Sequence, residues 1–254
     1  MIETVKTIAS EAGEKILSFY GQPIPVEKKS DDSPLTKADL AAHHAIVAGL
    51  KDLDNTIPVL SEEAKEIPFE ERRSWDRFWV VDPMDGTKEF IKQTGEFTVN
   101  IALVQGGISS LGVVYVPAKN LFYWAEKGKG AFKQVKEEAS LAIKVRKADP
   151  EALSIVASRD HAGPMVQELL ERYPTAQTQS MGSSLKFCLV AEGKADVYLR
   201  DVPTMEWDTA AAQCIVEESG GVVKDIDGSV LLYNKEVLRN PSIITLGDPL
   251  FAWK

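Results

Sequence analysis

The chain has 254 residues, 44% hydrophobic and 26% charged, proportions that make a folded globular protein and exclude disorder. A net charge of −9 argues against a nucleic-acid polymer as partner, which would call for a basic surface to displace counterions. No apolar run approaches the roughly 18 residues of a membrane-spanning helix, no basic-then-apolar leader is visible, and Cys188 and Cys214 lie far from any CxxC spacing, so a reducing, cytoplasmic setting is expected.

In chain order, Ile2, Val5, Ala9, Ala12, Ile16 and Phe19 recur at spacings of three and four and predict an amphipathic first helix, ended by Gly21 before the loop GQPIP. A second helix is expected from Lys37, with Leu40, His44, Val47 and Leu50 on one face. IPVLSEE reads as a short strand running into acidic residues, and RFWVVD as an apolar and therefore central strand. Over 97–132, the segments FTVNIALV, GVVYVP and LFYWAE predict an antiparallel meander with a turn at 117–120. EEASLAIKVRKADP continues the strand pattern to Pro150, where a boundary divides an N-terminal unit, 1–150, from a C-terminal unit, 151–254.

In the second half LSIVAS, ADVYLR and GVVKD read as strands. Residues 163–173, SSLKFCLVAEG (stopped by Gly193) and WDTAAAQCIVEESGG (closed by Gly220 and Gly221) read as helices. That alternation predicts a mixed sheet covered by helices, hence an α/β chain.

Four acidic clusters stand out, and each also has a purely structural reading. Glu62 and Glu63 follow a strand, as a solvated acidic pair would. Thr36 and Asp39 fit a helix capping box. Asp208 opens a helix, where an acidic residue suits the macrodipole. Turn chemistry accounts less well for WVVDPMDGTKEF. Asp82 ends an apolar strand, where an unpaired carboxylate is costly to desolvate. Pro83 fixes the turn, Gly86 allows close backbone approach, and two carboxylates with a free carbonyl form an oxygen-rich nest suited to Mg²⁺. His43 and His44 on a helix, His161 in a loop and the two cysteines make no cluster for a softer metal. A chain this acidic that handles a phosphate compound needs bound cations to overcome its own field.

The order TKAD, LSEE, VVDPMDGTKEF, GSSLKF, EWDTAA resembles the inositol monophosphatase superfamily, with its D-P-x-D-G-T and later W-D-x-A-A motifs. Within it the chain is most similar to the 3′(2′),5′-bisphosphate nucleotidases of the CysQ type, through DGTKEF, GEFTVNIAL, GVVY and GSSLKFCLVAEG. The resemblance runs from the first helix to about Gly221, and the tail is less distinctive. Ala212 departs from it, standing where relatives often have Gly, which bears only on local helix packing.

The resemblance implies an αβαβα sandwich with an antiparallel N-terminal sheet and a mixed C-terminal sheet. It implies Glu62, Asp82, Asp85, Asp208 and the Met84 backbone carbonyl as ligands of two or three Mg²⁺ per active site, with Glu63 behind them. The four carboxylates would nearly balance two Mg²⁺ and so let an anionic substrate approach. Thr87 would orient a water and Asp39 accept its proton, so Asp39 can cap its helix and act as base. Asp85, Gly86, Thr87, Lys88, Gly182, Ser183, Ser184, Lys186 and Asp208 would contact substrate, with free N–H groups at the GSS helix start facing an anion.

The implied reaction is hydrolysis of adenosine 3′,5′-bisphosphate to AMP and phosphate, or of its phosphosulfate analogue, in sulfur assimilation and with sensitivity to Li⁺. The implied setting is a cytoplasmic monomer or homodimer, with peripheral contact with the inner membrane left open. Two alternatives remain: an inositol or sugar-phosphate phosphatase of the same superfamily, and a non-catalytic metal-dependent nucleotide sensor. The D-x-x-D spacing disfavours the aspartyl-phosphate chemistry of haloacid dehalogenase-like D-x-D-G-T enzymes.

Overall fold

A computed structural model describes residues 1–21, 37–157 and 163–254, together with the backbone of two short strands at 27–28 and 34–35. Thr36, the partner of Asp39 in the capping-box pattern, and His161 lie outside the described residues.

The chain begins with α1 (Ile2–Leu17), the antiparallel pair β1 (Glu27–Lys28) and β2 (Pro34–Leu35), and α2 (Lys37–Leu53). Then come β3 (Val59–Ser61), the single turn α3 (Phe69–Arg72), β4 (Arg77–Asp85), the short α4 (Thr87–Ile91) and β5 (Thr98–Gln105). β6 (Ile108–Val116), β7 (Leu121–Glu126), β8 (Ala131–Val135) and β9 (Leu141–Ile143) complete a seven-stranded sheet in simple sequence order from β3. Every pairing in it is antiparallel except β3 with β4, so the expected antiparallel sheet carries one parallel edge.

The second half supplies β10 (Ser154–Ala157), α5 (Pro164–Arg172), β11 (Gln177–Ser180), α6 (Leu185–Ala191), β12 (Val197–Arg200), α7 (Ala210–Glu218), β13 (Val222–Asp225) and β14 (Ile243–Leu246). Its five-stranded sheet runs β11-β10-β12-β14-β13, parallel across the first three strands and antiparallel across the last three.

Strand alternation sets the layers. On β4, Trp79 and Val81 point into a core shared with α1 and α2, and Phe78 and Val80 into one shared with α6 and α7. The second core also takes Val156, Tyr198 and Ile243 from the five-stranded sheet, so α6 and α7 lie between the two sheets. Val166 and Leu169 of α5 cover that sheet's far side with Ile155, Val197 and Ile244. The layers are therefore helix, sheet, helix, sheet, helix, as expected.

α7 lies close on the seven-stranded sheet because its inner face is small. A Cβ on Gly112 of β6 would come within 2.1 Å of the Ala211 carbonyl oxygen, so only glycine fits there. Ala212, the departure noted above, is buried in the same core.

Several expectations need correction. α2 does not bury Leu40, His44 and Val47 with Leu50; its buried residues are Ala38, Asp39, Ala42, Ile46 and Leu50, and Leu40 and His44 are exposed. The strand pattern expected from Glu137 to Pro150 shrinks to β9. β11 and β14 were not expected at all.

Candidate active site

β4 delivers the central carboxylates. Its register with β5 pairs Asp82 with Asn100 and Asp85 with Thr98, so three steps on β4 answer two on β5. The extra residue is a bulge at Pro83–Met84, a position where proline is tolerated because a ladder bond is already lost. The Met84 N–H donates to Asp82 Oδ1 at 3.0 Å, so turn chemistry does shape this loop. Gly86 follows with φ 91°, and a Cβ there would lie 2.2 Å from Ser183 Oγ.

Glu62 continues the β3–β4 ladder, its N–H donating to the Val81 carbonyl at 3.1 Å, which sets it beside Asp82. Asp208 arrives on a 3₁₀ turn, Glu206–Asp208, where its Oδ2 accepts the Met205 N–H at 2.7 Å. Carboxylate oxygens of Glu62, Asp82 and Asp208 lie within 4.8 Å of one another. Asp85 borders this cluster: its Oδ2 accepts from Ser184 Oγ at 3.1 Å.

The electrostatics are those of crowded anions. Asp82, 1% exposed, has its pKa pushed well above the carboxylate range by burial, then by Glu62, Asp85, Asp208 and Asp39. Asp208 is pushed up to about 8 by burial, then by Asp85 and Glu62, against the Met205 N–H and Arg200, which favour its charge. Oxygen donors brought together from β4, the residue after β3 and a 3₁₀ turn, mutually repelling until a positive charge lies among them, fit a hard divalent cation.

Asp39, 2% exposed, sits in the first turn of α2 facing the site. Thr87 Oγ1 lies 3.4 Å from Asp39 Oδ2 and 3.5 Å from the Met84 carbonyl oxygen, at the start of α4. Glu63 is half-buried beside the cluster, and Lys88 is exposed on α4. His43 Nδ1 contacts Ser61 Oγ at 2.9 Å; burial, then the neighbouring His44, lowers its pKa, with Glu63 opposing.

The GSS loop, expected to contact substrate, also bonds internally to both halves of the site. The Gly182 N–H donates to Glu96 Oε2 at 2.9 Å, and Ser183 Oγ lies 2.8 Å from the Asp85 carbonyl and 2.6 Å from that of Glu96. Ser184 Oγ lies 3.1 Å from both Asp85 Oδ2 and the Asp208 carbonyl oxygen, and accepts from Asn100 Nδ2 at 3.0 Å. These groups join the carboxylates of the two halves. Lys186 is buried and donates to the Ser183 carbonyl at 2.7 Å; burial lowers its pKa while Asp85 opposes that.

The sequence reading missed Asn100, Thr98 and Glu96. Asn100 receives the Thr98 hydroxyl on its Oδ1 at 3.0 Å, and an amide inside the apolar run FTVNIALV is a signal that could have found it.

The inositol monophosphatase family model matches residues 1–247. The chain belongs to the inositol monophosphatase family. Within that family it is 46% identical to the 3′(2′),5′-bisphosphate nucleotidase CysQ of Salmonella typhimurium, over 95% of this chain and 97% of that one. The crystal structure of CysQ from Bacteroides thetaiotaomicron, a bacterial member of the family, superposes with a TM-score of 0.84 at 44% identity, covering 96% of each chain. An IMPase of Thermotoga maritima superposes with a TM-score of 0.80 at 26% identity, over 96% of this chain and 91% of that one. The family is metal-dependent, and Glu62, Asp82 and Asp208 form an acidic group of a kind that can hold a metal ion.

Proposed function

We propose that the chain is a Mg²⁺-dependent 3′(2′),5′-bisphosphate nucleotidase that hydrolyses the 3′-phosphate of adenosine 3′,5′-bisphosphate, giving AMP and phosphate. Its phosphosulfate analogue is a second candidate substrate. The observation that carries the reading is near-full-length 46% identity to a protein of that activity, joined to the gathered Glu62, Asp82 and Asp208 carboxylates.

In this reading Glu62, Asp82, Asp85, Asp208 and the Met84 carbonyl hold two or three Mg²⁺, with Glu63 behind them. Bound Mg²⁺ activates water, clamps phosphoryl oxygens and neutralises the leaving alkoxide. The chain's own residues do the rest. The Thr87 hydroxyl, in reach of Asp39, orients the attacking water, and Asp39 takes its proton directly or through Thr87. Lys88, on the exposed side of α4, and Lys186, beneath the GSS loop, add positive charge towards the substrate phosphates. Gly86 keeps the loop floor low, Ser183 and Ser184 hold Asp85 in place beside the substrate, and Gly182 ties the same loop to Glu96.

The N-terminal unit, 1–150, brings the metal loop, and the C-terminal unit, 151–254, completes the site with Asp208. Among the described residues, no helix is long and apolar enough to cross a membrane. The Asp39–Thr87 contact favours turnover over a sensor role, because a protein that only bound nucleotide would not need a base beside a hydroxyl.

Asp85→Asn keeps the shape of the loop and removes one charge. It is expected to cut phosphate release by about 10²-fold or more, the scale of losing one group that stabilises the transition state, with an unchanged circular dichroism spectrum. Undiminished release would remove Asp85 from the site.

A further inference from the structure

The chain segment after β13 was the least distinctive part of the sequence, yet it grips the turn that carries Asp208. Glu206, two residues before Asp208, is a carboxylate with 0% exposure. Its Oε2 accepts the Asn234 N–H at 2.8 Å, and its Oε1 accepts the Lys235 N–H at 2.9 Å and Lys235 Nζ at 2.7 Å. Asn240 Nδ2 donates to the Met205 carbonyl at 2.7 Å, and the Glu206 N–H donates to the Leu238 carbonyl at 3.0 Å. Met205, held by Asn240, is the residue whose N–H fixes Asp208 Oδ2.

The same segment is tied to the other half of the cluster. Arg72 is buried in the stretch of chain between Glu62 and Asp82. Its Nη1 donates to Asn234 Oδ1 at 3.0 Å and to the Lys235 carbonyl at 2.5 Å, and its Nη2 to the Glu236 carbonyl at 2.7 Å. Asn234 Nδ2 answers by donating to the Arg72 carbonyl at 2.7 Å. Asn234 sits at φ 70°, a left-handed conformation that asparagine tolerates better than most residues and that these contacts hold in place. The connection between Glu62 and Asp82 is thereby linked to Asp208 through Arg72, Asn234 and Glu206.

We propose that Glu206 is a positioning residue for the divalent-cation site. Its buried carboxylate clamps residues 234–240 onto the Asp208 turn, and with Arg72 it sets where Asp208 stands relative to Glu62 and Asp82. Burying an acid this deeply costs stability unless its partners are well aligned, and here those partners are two backbone N–H groups and one ammonium. The inference rests on the reading of Glu62, Asp82 and Asp208 as cation ligands.

Glu206→Gln is the test, because its amide would turn a donor towards a backbone N–H and loosen the clamp without changing volume. Metal-free protein is titrated with Mg²⁺ by calorimetry, and the thermal melting of the metal-free forms is recorded beside it. The affinity of Glu206→Gln for Mg²⁺ is expected to fall about 10–100-fold, the cost typical of losing support behind a metal ligand. The KM for nucleotide at saturating Mg²⁺ stays within about twofold of the parent. Arg72→Lys, which gives up the two-nitrogen grip on residues 234–236, is expected to shift Mg²⁺ affinity in the same direction and covers the case in which Glu206→Gln does not fold. A folded Glu206→Gln protein with parental Mg²⁺ affinity, differing only in melting temperature, would overturn the proposal. Absence of Mg²⁺ binding by the parent protein would instead overturn the metal reading itself.

Discussion

Asp82 and Asp208 are buried carboxylates placed where carboxylates repel, and their protonation makes the consequences measurable. In the unfolded chain each releases its proton near the ordinary value of about 4. In the folded, metal-free protein Asp208 holds its proton up to about 8, and Asp82 is shifted the same way. Between those limits the folded state binds more protons, so stability that is fully present below about pH 4 is lost as pH rises towards about 8. Thermal melts in chelator should therefore show a falling midpoint from about pH 5 to about pH 8, and Mg²⁺ should restore most where the carboxylates are ionised. A midpoint that rose over that window in chelator would contradict the crowded-anion description. These two aspartates were legible in the sequence, because an acid ending an apolar strand and one opening a helix in a fixed order resemble little else. Glu206 and Asn100 were not. One acid in a helix start and one amide in a strand have ordinary readings until their partners, far away in sequence, are seen.

At the scale of the element, the site depends on the bulge in β4 and the turn after it. Gly86 has φ 91° and lies against Ser183, so Gly86→Ala forces both a disfavoured backbone and a clash. We expect a loss of about 1–3 kcal/mol in urea unfolding, with a larger proportional loss of activity because Asp85 and Thr87 flank the residue. Full activity with unchanged stability would show that the loop does not need its observed path. β4 to β7 were readable because their apolar runs are long and their turns marked by Pro and Gly, and the short β3 because an apolar run meets an acidic pair. β11 was not, since QTQS at the sheet edge is polar and largely exposed. β14, IITL, is as long as β10, β12 and β13, and was hidden by the irregular tail around it rather than by its length. α2 was placed correctly but rotated: its buried Ala38, Ala42 and Ile46 share a core with α1 and β4. A reading weighted towards large apolar residues picked Leu40 and Val47 instead, and missed that the buried strip carries Asp39 to the site.

For the whole molecule, five layers hold a cluster to which both halves of the chain contribute, and the GSS loop and the Arg72–Asn234–Glu206 link join those halves at two places. The layer order followed from the family resemblance more than from periodicity, because strand and helix patterns alone do not say which sheet faces which helix. The chain's net charge of −9 sets the remaining condition: an anionic substrate is drawn in only once cations sit among the carboxylates. The most direct test is phosphate release from adenosine 3′,5′-bisphosphate and from inositol monophosphate, each measured with Mg²⁺ and with chelator. The account predicts rapid release from the nucleotide, far slower release from the inositol phosphate, and loss of both in chelator. Faster turnover of inositol monophosphate, or nucleotide hydrolysis that persists in chelator, would contradict it.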